Sequence, residues 1–330
     1  MRTLMISLDK QILDPQSRVA GRMKEYGMQD ELYILIPHHE RKEVELSSTV
    51  HVVATGGNKI VQLARLAKMG KAVMREKNIE AITTQDPFFT GWIGLWLKKQ
   101  RGIPLEVQLH GDFYSTDYYR KSGFMNWIRY WIGKRVIKKA DRLRVVGERI
   151  KESLLKMGIA EEKIEMRPIR IEAESIQSYQ PKFHLRECYP QFKKVFVALG
   201  RFARVKNLSW LIEVFNEIVH THPDCGLIIV GEGMEITHYR LLITDYHLEA
   251  NVKFEDQTND PWSYLKTADC LLFPSLSEGF GLVAMEAHIA GCPIIMNDVG
   301  VANYELQPSD KVKIIPVSDR DAWIQAMLSI

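Results

Sequence analysis

One stretch of the chain, 275–291, combines glycines and carboxylates in an order that suits a charged ligand. The apolar run 270–274 before it predicts a strand, and the residues after Gly281 predict a helix. A glycine loop between strand and helix directs backbone N–H groups and a helix dipole at one point, which favours phosphate. Glu278 and Glu286 are badly placed for phosphate but can accept hydrogen bonds from sugar hydroxyls. The stretch therefore predicts a ligand that is part diphosphate and part polyol, as a nucleotide sugar is.

A second loop, earlier in the chain, contributes two cations. The strand-like run 194–199 ends at Gly200, and Arg201 and Lys206 follow before a helical pattern begins near Asn207. Arg can grip a diphosphate as a fork and Lys as a point charge, so the pair could hold one ligand from two sides. Surface cations after a strand are usually only solvated. The combination with the Glu278 stretch favours the binding interpretation.

Strand-like apolar runs alternate with longer helical patterns through the whole chain. The strand-like runs are 3–8, 31–37, 50–53, 81–84, 105–109 and 142–146 in the first half, and 194–199, 227–230, 252–254, 270–274 and 293–296 in the second. This alternation predicts parallel sheets covered by helices. The expected fold is therefore α/β, with two Rossmann-like parallel-sheet domains facing across a cleft and ligands at the carboxyl ends of the strands.

Length and charge place the boundary between the two domains. The 330 residues suit two domains of about 150 residues each. Residues 1–180 hold 31 Lys and Arg against 22 Asp and Glu, whereas residues 181–330 hold 13 against 19. Pro168 disfavours a helix in the segment 166–172, which we interpret as the start of a linker. We therefore predict an N-terminal domain over 1–170 and a C-terminal domain over 171–330.

Three of these motifs together resemble a known enzyme family. Gly200-Arg201 with Lys206, the segment 230–233 and the segment 278–286 look like the signature of the retaining glycosyltransferases of family 4, which have the GT-B fold. The resemblance covers most of residues 195–305, and the first half matches more loosely through strand order and residues 109–112. It implies that the C-terminal domain binds a nucleotide donor and the N-terminal domain binds the acceptor.

The resemblance also implies roles for individual residues. Arg201 and Lys206 would hold the diphosphate, and Glu278 would contact the hydroxyls of the transferred sugar as a catalytic candidate. The other implied contacts are backbone amides at Gly279 and Phe280 for the sugar, Gly281 and Leu282 for the diphosphate, Glu286 for the ribose, and a nucleobase region at Gly231, Gly233 and Phe254.

His110 is the second catalytic candidate. It ends the apolar run 105–109 and precedes Gly111-Asp112. A lone histidine in such a place is usually a capping or packing residue, but the family has a histidine here that touches the donor sugar, so we expect a function. Asp112 could orient His110 or cap the next segment.

No metal or cofactor is expected. Members of the family need no metal ion, and the single Asp-x-Asp triplet of the sequence, Asp319-Arg320-Asp321, lies outside the segments that carry the resemblance. His38-His39-Glu40 has metal-like composition, but adjacent histidines are expected to point apart, so we predict a charged surface loop there. The donor sugar nucleotide is then a substrate, and cofactors are none.

These features predict a metal-independent, retaining hexosyltransferase of polysaccharide or glycolipid biosynthesis. It would move a hexose from a nucleotide-diphosphate sugar to a hydroxyl of a glycan or lipid-linked acceptor. Two alternatives stay open: a sugar-nucleotide epimerase on the same scaffold, and a non-catalytic protein that binds sugar nucleotides or glycans. The sugar, the base, the acceptor and the linkage are not legible from the sequence.

The segment 120–144 is basic and aromatic, with nine Lys and Arg against the single acid Asp141. Trp127, Tyr130 and Trp131 are interleaved with the charges. One interpretation is a solvated helix whose aromatics pack inward, and the other is a helix that lies on an anionic membrane surface. Nucleic acid is not a predicted partner, since no nucleic-acid motif accompanies the charge.

Location follows from the cysteines and the first residues. The run 1–8 predicts a strand rather than a signal peptide, and no apolar stretch approaches the ~20 residues that span a bilayer. Scattered cysteines without metal spacing predict reduced core thiols and hence a cytoplasmic protein, either free or peripheral on the inner membrane face. The four are Cys188, Cys225, Cys270 and Cys292. Family members usually end in helices that cross back to the first domain. No such segment follows the helical pattern 321–330, so we expect either that the chain is cut short or that the crossover is absent.

Overall fold

The computed structural model describes residues 1–115 and 117–330 and divides the chain into two compact units. The first unit contains Met1–Val146 and Ile150–Arg167, and the second contains Gly147–Arg149 and Pro168–Ile330. Each unit is built around one sheet whose strands are mostly parallel and alternate with helices. The predicted α/β class, with two parallel-sheet units, is confirmed.

The sheet of the first unit contains eight strands in the order β3-β4-β2-β1-β5-β6-β7-β8. The strands are β1 (Arg2–Ile6), β2 (Glu31–Ile36), β3 (Arg41–Ser47), β4 (Val50–Thr55), β5 (Ala81–Thr84), β6 (Leu105–Leu109), β7 (Arg142–Val145) and β8 (Ile164–Met166). The helices are α1 (Arg18–Gly27), α2 (Lys59–Glu76), α3 (Phe89–Arg101), α4 (Tyr118–Lys121), α5 (Phe124–Lys139) and α6 (Glu148–Lys156), of which the first two residues of α6 are counted in the second unit.

Strand β3 corrects the expectation that strands and helices alternate throughout. It pairs antiparallel with β4, directly after β2 and without a helix between them. Its sequence begins Arg41-Lys42-Glu43 and is mostly exposed, so it carries no apolar run that a strand search would find. Charged side chains are typical of a strand at the edge of a sheet, where they discourage pairing with another chain.

Side-chain hydroxyl, amide and carboxylate groups begin several of the helices. The Ser17 side chain accepts a hydrogen bond from the backbone of Ala20 at the start of α1, and Asn58 does the same for Val61 at the start of α2. These caps satisfy backbone N–H groups that have no partner within the helix. Helix α1 was not predicted, because its buried positions, Val19, Ala20 and Met23, form too short a pattern.

Strand β6 alternates strictly between two environments. Leu105, Val107 and Leu109 are fully buried and point to the apolar side of the sheet. Glu106 and Gln108, between them, point to the other side, where they line a cavity of about 380 Å³. This alternation places polar side chains next to one another across β5, β6 and β7, and they reach the end of β6 at His110.

The sheet of the second unit contains six strands in the order β11-β10-β9-β12-β13-β14, all paired in parallel. The strands are β9 (Lys194–Leu199), β10 (Cys225–Val230), β11 (Val252–Glu255), β12 (Cys270–Phe273), β13 (Ile294–Met296) and β14 (Val312–Ile314). The helices are α7 (Ala173–Ser178), α8 (Leu185–Cys188), α9 (Leu208–Thr221), α10 (Ile236–Asp245), α11 (Pro261–Thr267), α12 (Leu282–Ala290) and α13 (Arg320–Leu328).

The core of the second unit lies between this sheet and its helices. Strands β9 and β10 are almost entirely buried, and Phe196 packs edge-on against Phe215 of α9. Helix α13 closes the core on the same side, where Trp323 is fully buried and packs against Trp210. Because β9, β10 and β12 are neighbours and run in parallel, the loops after them emerge at one edge of the sheet.

The cysteines and helices bear on the predicted location. All four cysteines are free; three are buried, and Cys188 is exposed, so it is not the core thiol that we expected. Burial raises the pKa of the Cys292 thiol to about 12, which leaves it protonated at neutral pH. Over residues 1–115 and 117–330, no helix is both long and apolar enough to cross a membrane.

Candidate functional site

Three loops of the second unit are tied together by backbone hydrogen bonds. After β9 the Gly200 N–H donates to the Val230 carbonyl at 3.0 Å, which joins this loop to the end of β10. After β12 the Leu276 N–H donates to the Val205 carbonyl at 2.8 Å. The loops that carry the predicted phosphate-binding cations and the Glu278 stretch are therefore in direct contact.

Lys206 and Glu278 meet in this cluster. The Lys206 ammonium donates to Glu278 Oε1 at 2.6 Å, and the two side chains are only 18% and 15% exposed. The ammonium also lies 5.2 Å from the centre of the Phe273 ring. An ion pair that is this well covered is less screened by water than a surface pair. The structure thus brings the residue predicted to bind the phosphate and the residue predicted to bind the sugar within hydrogen-bond distance of each other.

Arg201 lies in the same loop as Lys206, but its side chain is in a different environment. A side chain added at Gly200, the preceding residue, would lie 3.3 Å from Lys206 Cε, so the lysine stem crosses the backbone there. The Arg201 side chain itself is exposed, and it forms no ion pair within the described part of the chain. Its guanidinium is therefore available to a second ligand group beside Lys206.

The turn that contains Gly279 and Phe280 leads into α12. Gly281 precedes the helix with a φ of 92°, a left-handed conformation that favours glycine, and Leu282 begins the helix with its side chain 38% exposed. Phe280 is buried, and its carbonyl accepts a hydrogen bond from the Val301 N–H at 2.7 Å. The junction of strand β12, glycine turn and helix α12 is thus the one that the sequence predicts, and the binding roles of Gly281 and Leu282 stay predictions.

Arg149 is a residue of the second unit that sequence reasoning missed. Its guanidinium donates to the carbonyl oxygens of Gly300 at 2.9 Å and Ala302 at 2.7 Å, and it also pairs with Asp298. These residues form the loop after β13, which supports the Phe280 turn from behind. The only signal in the sequence was an isolated arginine after β7, with no motif around it.

Glu286 lies on α12 and is partly buried. Its Oε1 accepts a hydrogen bond from the indole N–H of Trp262 at 3.3 Å. Trp262 is on α11, and its ring packs edge-on against Tyr179 at 5.3 Å. The carboxylate predicted to hold a ribose therefore has a fixed neighbour, which the sequence gave no reason to expect.

The predicted nucleobase region has a structural explanation of its own. A side chain at Gly231 would lie 2.0 Å from the Gly200 carbonyl oxygen, and one at Gly233 would lie 2.3 Å from the Phe202 carbonyl oxygen. Both glycines let the loops after β9 and β10 pack together. Phe254 packs edge-on against Phe202 at 5.6 Å. These three residues shape the edge of the loop cluster whether or not a base binds there.

His110 lies in the first unit at the end of β6, with an exposed side chain. Its Nε2 is 3.0 Å from Oε1 of Gln108. Although the residue as a whole is exposed, neighbouring protein atoms keep water from part of the ring, and this partial burial lowers the pKa of His110. The positive charges of Arg144 and Arg22 lower it further. Asp112 caps the next turn, where its Oδ1 accepts from the Ser115 N–H at 3.1 Å. This contact matches the capping role that we considered for Asp112.

The His38-His39-Glu40 loop differs from the expectation. The two imidazole rings do not point apart: their centres are 4.2 Å apart, and the rings are tilted by 39°. One ligand atom from each of the three residues lies within 4.8 Å of the others. The reason is a local turn, in which the Glu40 N–H donates to His38 Nδ1 at 3.1 Å and draws the loop together. Exposed groups of this kind are common without a metal, and we assign no site here.

Helices α3 and α5 of the first unit pack against each other and expose four tryptophans, which we call the tryptophan surface. They are Trp92, Trp96, Trp127 and Trp131, four of the seven in the chain. Each is between 39% and 48% exposed, so the aromatics of the segment 120–144 do not all pack inward. The Lys134 ammonium lies 5.4 Å from the Trp131 ring centre. Sequence reasoning found the α5 pair but missed the α3 pair.

Two family models match the chain. The model described as "Glycosyl transferases group 1" matches residues 187–330, and the model described as "Glycosyl transferase 4-like domain" matches residues 20–169. The first match contains Arg201, Lys206, Glu278 and Glu286, and the second contains His110. Both models describe glycosyltransferases, and together they account for most of the chain.

Curated relatives and a solved structure agree with these models. "Uncharacterized glycosyltransferase YqgM" of Bacillus subtilis is 29% identical over 67% of this chain and 59% of the relative. "UDP-Gal:alpha-D-GlcNAc-diphosphoundecaprenol alpha-1,3-galactosyltransferase" of Escherichia coli is 28% identical over 73% of this chain and 64% of the relative. The chain thus spans less than two thirds of either relative. Sucrose-phosphate synthase of Thermosynechococcus elongatus shares the fold, with a TM-score of 0.79 at 19% identity over 100% of this chain and 89% of the other.

Proposed function

We propose that the chain, which two glycosyltransferase family models match over residues 20–169 and 187–330, transfers a hexose from a nucleotide-diphosphate sugar to a hydroxyl of an acceptor. We further propose that the transfer needs no metal ion and retains the configuration at the anomeric carbon. The observation that carries the proposal is the Lys206–Glu278 pair at 2.6 Å, at the edge where the β9 and β12 loops meet. A cation suited to phosphate and a carboxylate suited to sugar hydroxyls are adjacent there.

The donor in this proposal lies along the loop edge of the second unit. Lys206 and the exposed Arg201 bind the diphosphate, and the amides of Gly281 and Leu282 at the start of α12 add hydrogen-bond donors. Glu278 accepts from hydroxyls of the sugar, with Gly279 and Phe280 beside it. Glu286 accepts from the ribose while Trp262 holds its other side.

The bond changes follow from this arrangement. The bond between the anomeric carbon and the diphosphate oxygen breaks, and its electron pair stays on the diphosphate. The acceptor oxygen bonds to the anomeric carbon from the same side, and its proton goes to the departing phosphate oxygen. Lys206, Arg201 and the amino-terminal end of α12 stabilise the charge that develops on the diphosphate. No separate protein base is required, and His110 serves as a hydrogen-bonding group rather than as the base.

For the acceptor we propose a glycan or a lipid-linked sugar. The printed name of the Escherichia coli relative gives a diphosphoundecaprenol-linked acceptor, at 28% identity to this chain. The tryptophan surface supports the lipid-linked class, since exposed tryptophans beside Lys and Arg suit the headgroup region of an anionic membrane. We therefore include such a membrane among the partners and place the protein in the cytoplasm, peripheral on the inner face.

The test combines donor binding with two substitutions. In a thermal-shift panel of nucleotide sugars, the correct donor at about 100 times its Kd should raise stability by about 2.7 kcal/mol. With that donor, Lys206→Ala should lower kcat/KM about 100-fold, because it removes charge stabilisation that is needed most in the transition state. Glu278→Gln should lower it about tenfold, which corresponds to the loss of about one hydrogen bond to a charged group.

Arg204→Ala is the matched control for charge loss in the same loop. Arg204 is 86% exposed and pairs with Glu235, away from Glu278, so its substitution should leave kcat/KM near the wild-type value. Normal turnover by both Lys206→Ala and Glu278→Gln would reject the proposed roles. Rearrangement of the sugar nucleotide without an acceptor would instead indicate an epimerase, and donor binding without any turnover would indicate a binding protein.

A further inference from the structure

A chain of side-chain hydrogen bonds leads from the first unit's cavity to His110. Thr83 on β5 stands opposite Glu106 on β6, and its hydroxyl donates to Glu106 Oε1 at 3.1 Å. The Gln108 amide N–H donates to the same Thr83 oxygen at 2.9 Å. Gln108 Oε1 is then 3.0 Å from His110 Nε2. Glu106, Thr83 and Gln108 all line the cavity of about 380 Å³.

Chemistry at the Glu106 end sets the direction of every bond in this chain. A carboxylate can only accept, so the single hydroxyl proton of Thr83 must point to Glu106. The Thr83 oxygen then accepts from Gln108, which must present its amide nitrogen there and its carbonyl oxygen to His110. The carbonyl can only accept, so His110 Nε2 must carry the proton. The opposite assignment would leave Thr83 and Glu106 oxygens at 3.1 Å without a proton between them.

Gln108 is suited to hold this arrangement, because its side chain is 5% exposed and fixed at both ends. Arg144 on β7 stands opposite Gln108 in the sheet, and Arg22 approaches from α1. Both are cations that disfavour a second proton on the His110 ring. Two residues after His110 in the sequence, the Asp112 carboxylate accepts hydrogen bonds from the backbone N–H groups of Tyr114 and Ser115. The neutral ring with one proton is therefore the form that the surroundings support.

We propose that Gln108 is a positioning residue that holds His110 as the Nε2–H tautomer and leaves Nδ1 as the acceptor for a hydroxyl of the ligand sugar. The last part of this inference rests on the proposed function, whereas the tautomer does not. In the other tautomer Nδ1 would carry the proton, so it would be a donor to the sugar hydroxyl instead of an acceptor.

The direct test is nuclear magnetic resonance of the full chain labelled with nitrogen-15 histidine. Of the ten histidines, His110 is identified by the signal that disappears in His110→Gln. At pH 7.5 the wild type should show a His110 Nε2–H proton that exchanges slowly with water, because Gln108 holds it. Gln108→Leu should lose this signal. Gln108→Glu should keep it, since one carboxylate oxygen still accepts the His110 proton, while the other oxygen loses only the bond to Thr83.

Catalysis supplies a second readout that a merely structural role would not move. Gln108→Leu should lower kcat about tenfold while the donor KM changes little, because the ring is present but no longer fixed. At high pH the kcat of Gln108→Glu should be close to that of the wild type. The acid limb of its pH–kcat profile should move to higher pH, since an adjacent carboxylate raises the pKa of an imidazole. Glu165→Gln removes a carboxylate from β8, outside this chain of bonds, and should change neither the signal nor kcat.

The outcomes separate the two proposals. A proton on Nδ1 of His110 in the wild type, or equal losses of kcat in Gln108→Leu and Gln108→Glu with an unchanged Nε2–H signal, would overturn the inference about Gln108. If the signals behave as expected but His110→Gln turns over normally, the tautomer stands and the role of His110 in transfer fails. Should Gln108→Leu not fold, Thr83→Val removes the anchor of the Gln108 amide and should weaken the same signal.

Discussion

The loop edge of the second unit and the end of β6 in the first unit position their candidate residues in different ways. Lys206 and Glu278 sit on loops that backbone hydrogen bonds join, such as Leu276 to Val205 at 2.8 Å. His110 instead depends on side chains from two strands, through Gln108 and Thr83. A site built on backbone contacts needs residues that let backbones approach, whereas a site built on side chains needs partners at matching register.

This difference explains why one site is easier to recognise than the other. In the second unit the required residues are glycines and charged groups close together in sequence, so they form a motif. In the first unit the partners of His110 are a threonine and a glutamine, which have no distinctive meaning in isolation. Thr83 lies 25 positions from Gln108 in the chain, and only the pairing of β5 with β6 brings them together.

The largest expected effect tests the backbone side of the comparison. Gly231→Ala should lower the free energy of unfolding by about 3 kcal/mol, because the new methyl group would lie 2.0 Å from the Gly200 carbonyl oxygen at a φ of 148°. Thermal melting measures the change.

Gly21→Ala in α1 is the control for this substitution. Nothing lies within 4 Å of its added methyl group, and alanine favours a helix over glycine by up to about 1 kcal/mol. Equal melting temperatures for the Gly231→Ala and Gly21→Ala proteins would show that the second unit does not depend on close backbone approach.

Much of the fold could be predicted from periodicity. The buried runs of β9, β10 and β12 are apolar at nearly every position, which is typical of parallel strands covered on both faces. Helix α2 lies between β4 and β5, where the alternation of strand-like runs and helical patterns predicts a helix. Strand β3 could not be predicted, because its first three residues are all charged. Its place in the sheet depends on pairing with the neighbouring strand β4.

The candidate site of the second unit was likewise legible in part. Sequence reasoning named Lys206 and Glu278 but not their contact at 2.6 Å, because a motif does not give the side-chain path across Gly200. Arg149 and Trp262 were missed, since each acts through residues far away in the chain. Their partners at Gly300 and Glu286 become apparent only when the loops are assembled.

The second-largest expected effect concerns the tryptophan surface of the first unit. Replacing Trp92 and Trp127 together by alanine should weaken binding to phosphatidylglycerol vesicles at least tenfold, since each buried indole is worth roughly 1.5 kcal/mol. Vesicle co-sedimentation at low and high salt measures it, and salt should weaken the remaining binding.

Met234→Ala is the matched control, because Met234 is 95% exposed in the second unit. It removes a large apolar group outside the tryptophan surface and should leave vesicle binding unchanged. If the tryptophan variant binds as the wild type does, or if Met234→Ala weakens binding equally, the membrane assignment of α3 and α5 is wrong.

The smallest effect concerns protons and tests whether the His110 surroundings in the first unit resist positive charge. The protein atoms around the ring, with Arg144 and Arg22, lower the pKa of His110 in the folded state, whereas the unfolded chain has a value near 6.5. As pH falls below about 6.5 the unfolded state binds more protons, so folding stability decreases until the pH reaches the lowered folded-state pKa.

His110→Gln keeps a donor for Gln108 but does not titrate. The wild type should therefore lose melting temperature relative to His110→Gln between pH 7 and pH 5, with the difference at pH 7.5 as the reference. A difference that stays constant, or that moves in favour of the wild type at low pH, would mean that the pKa of His110 is not lowered in the folded state.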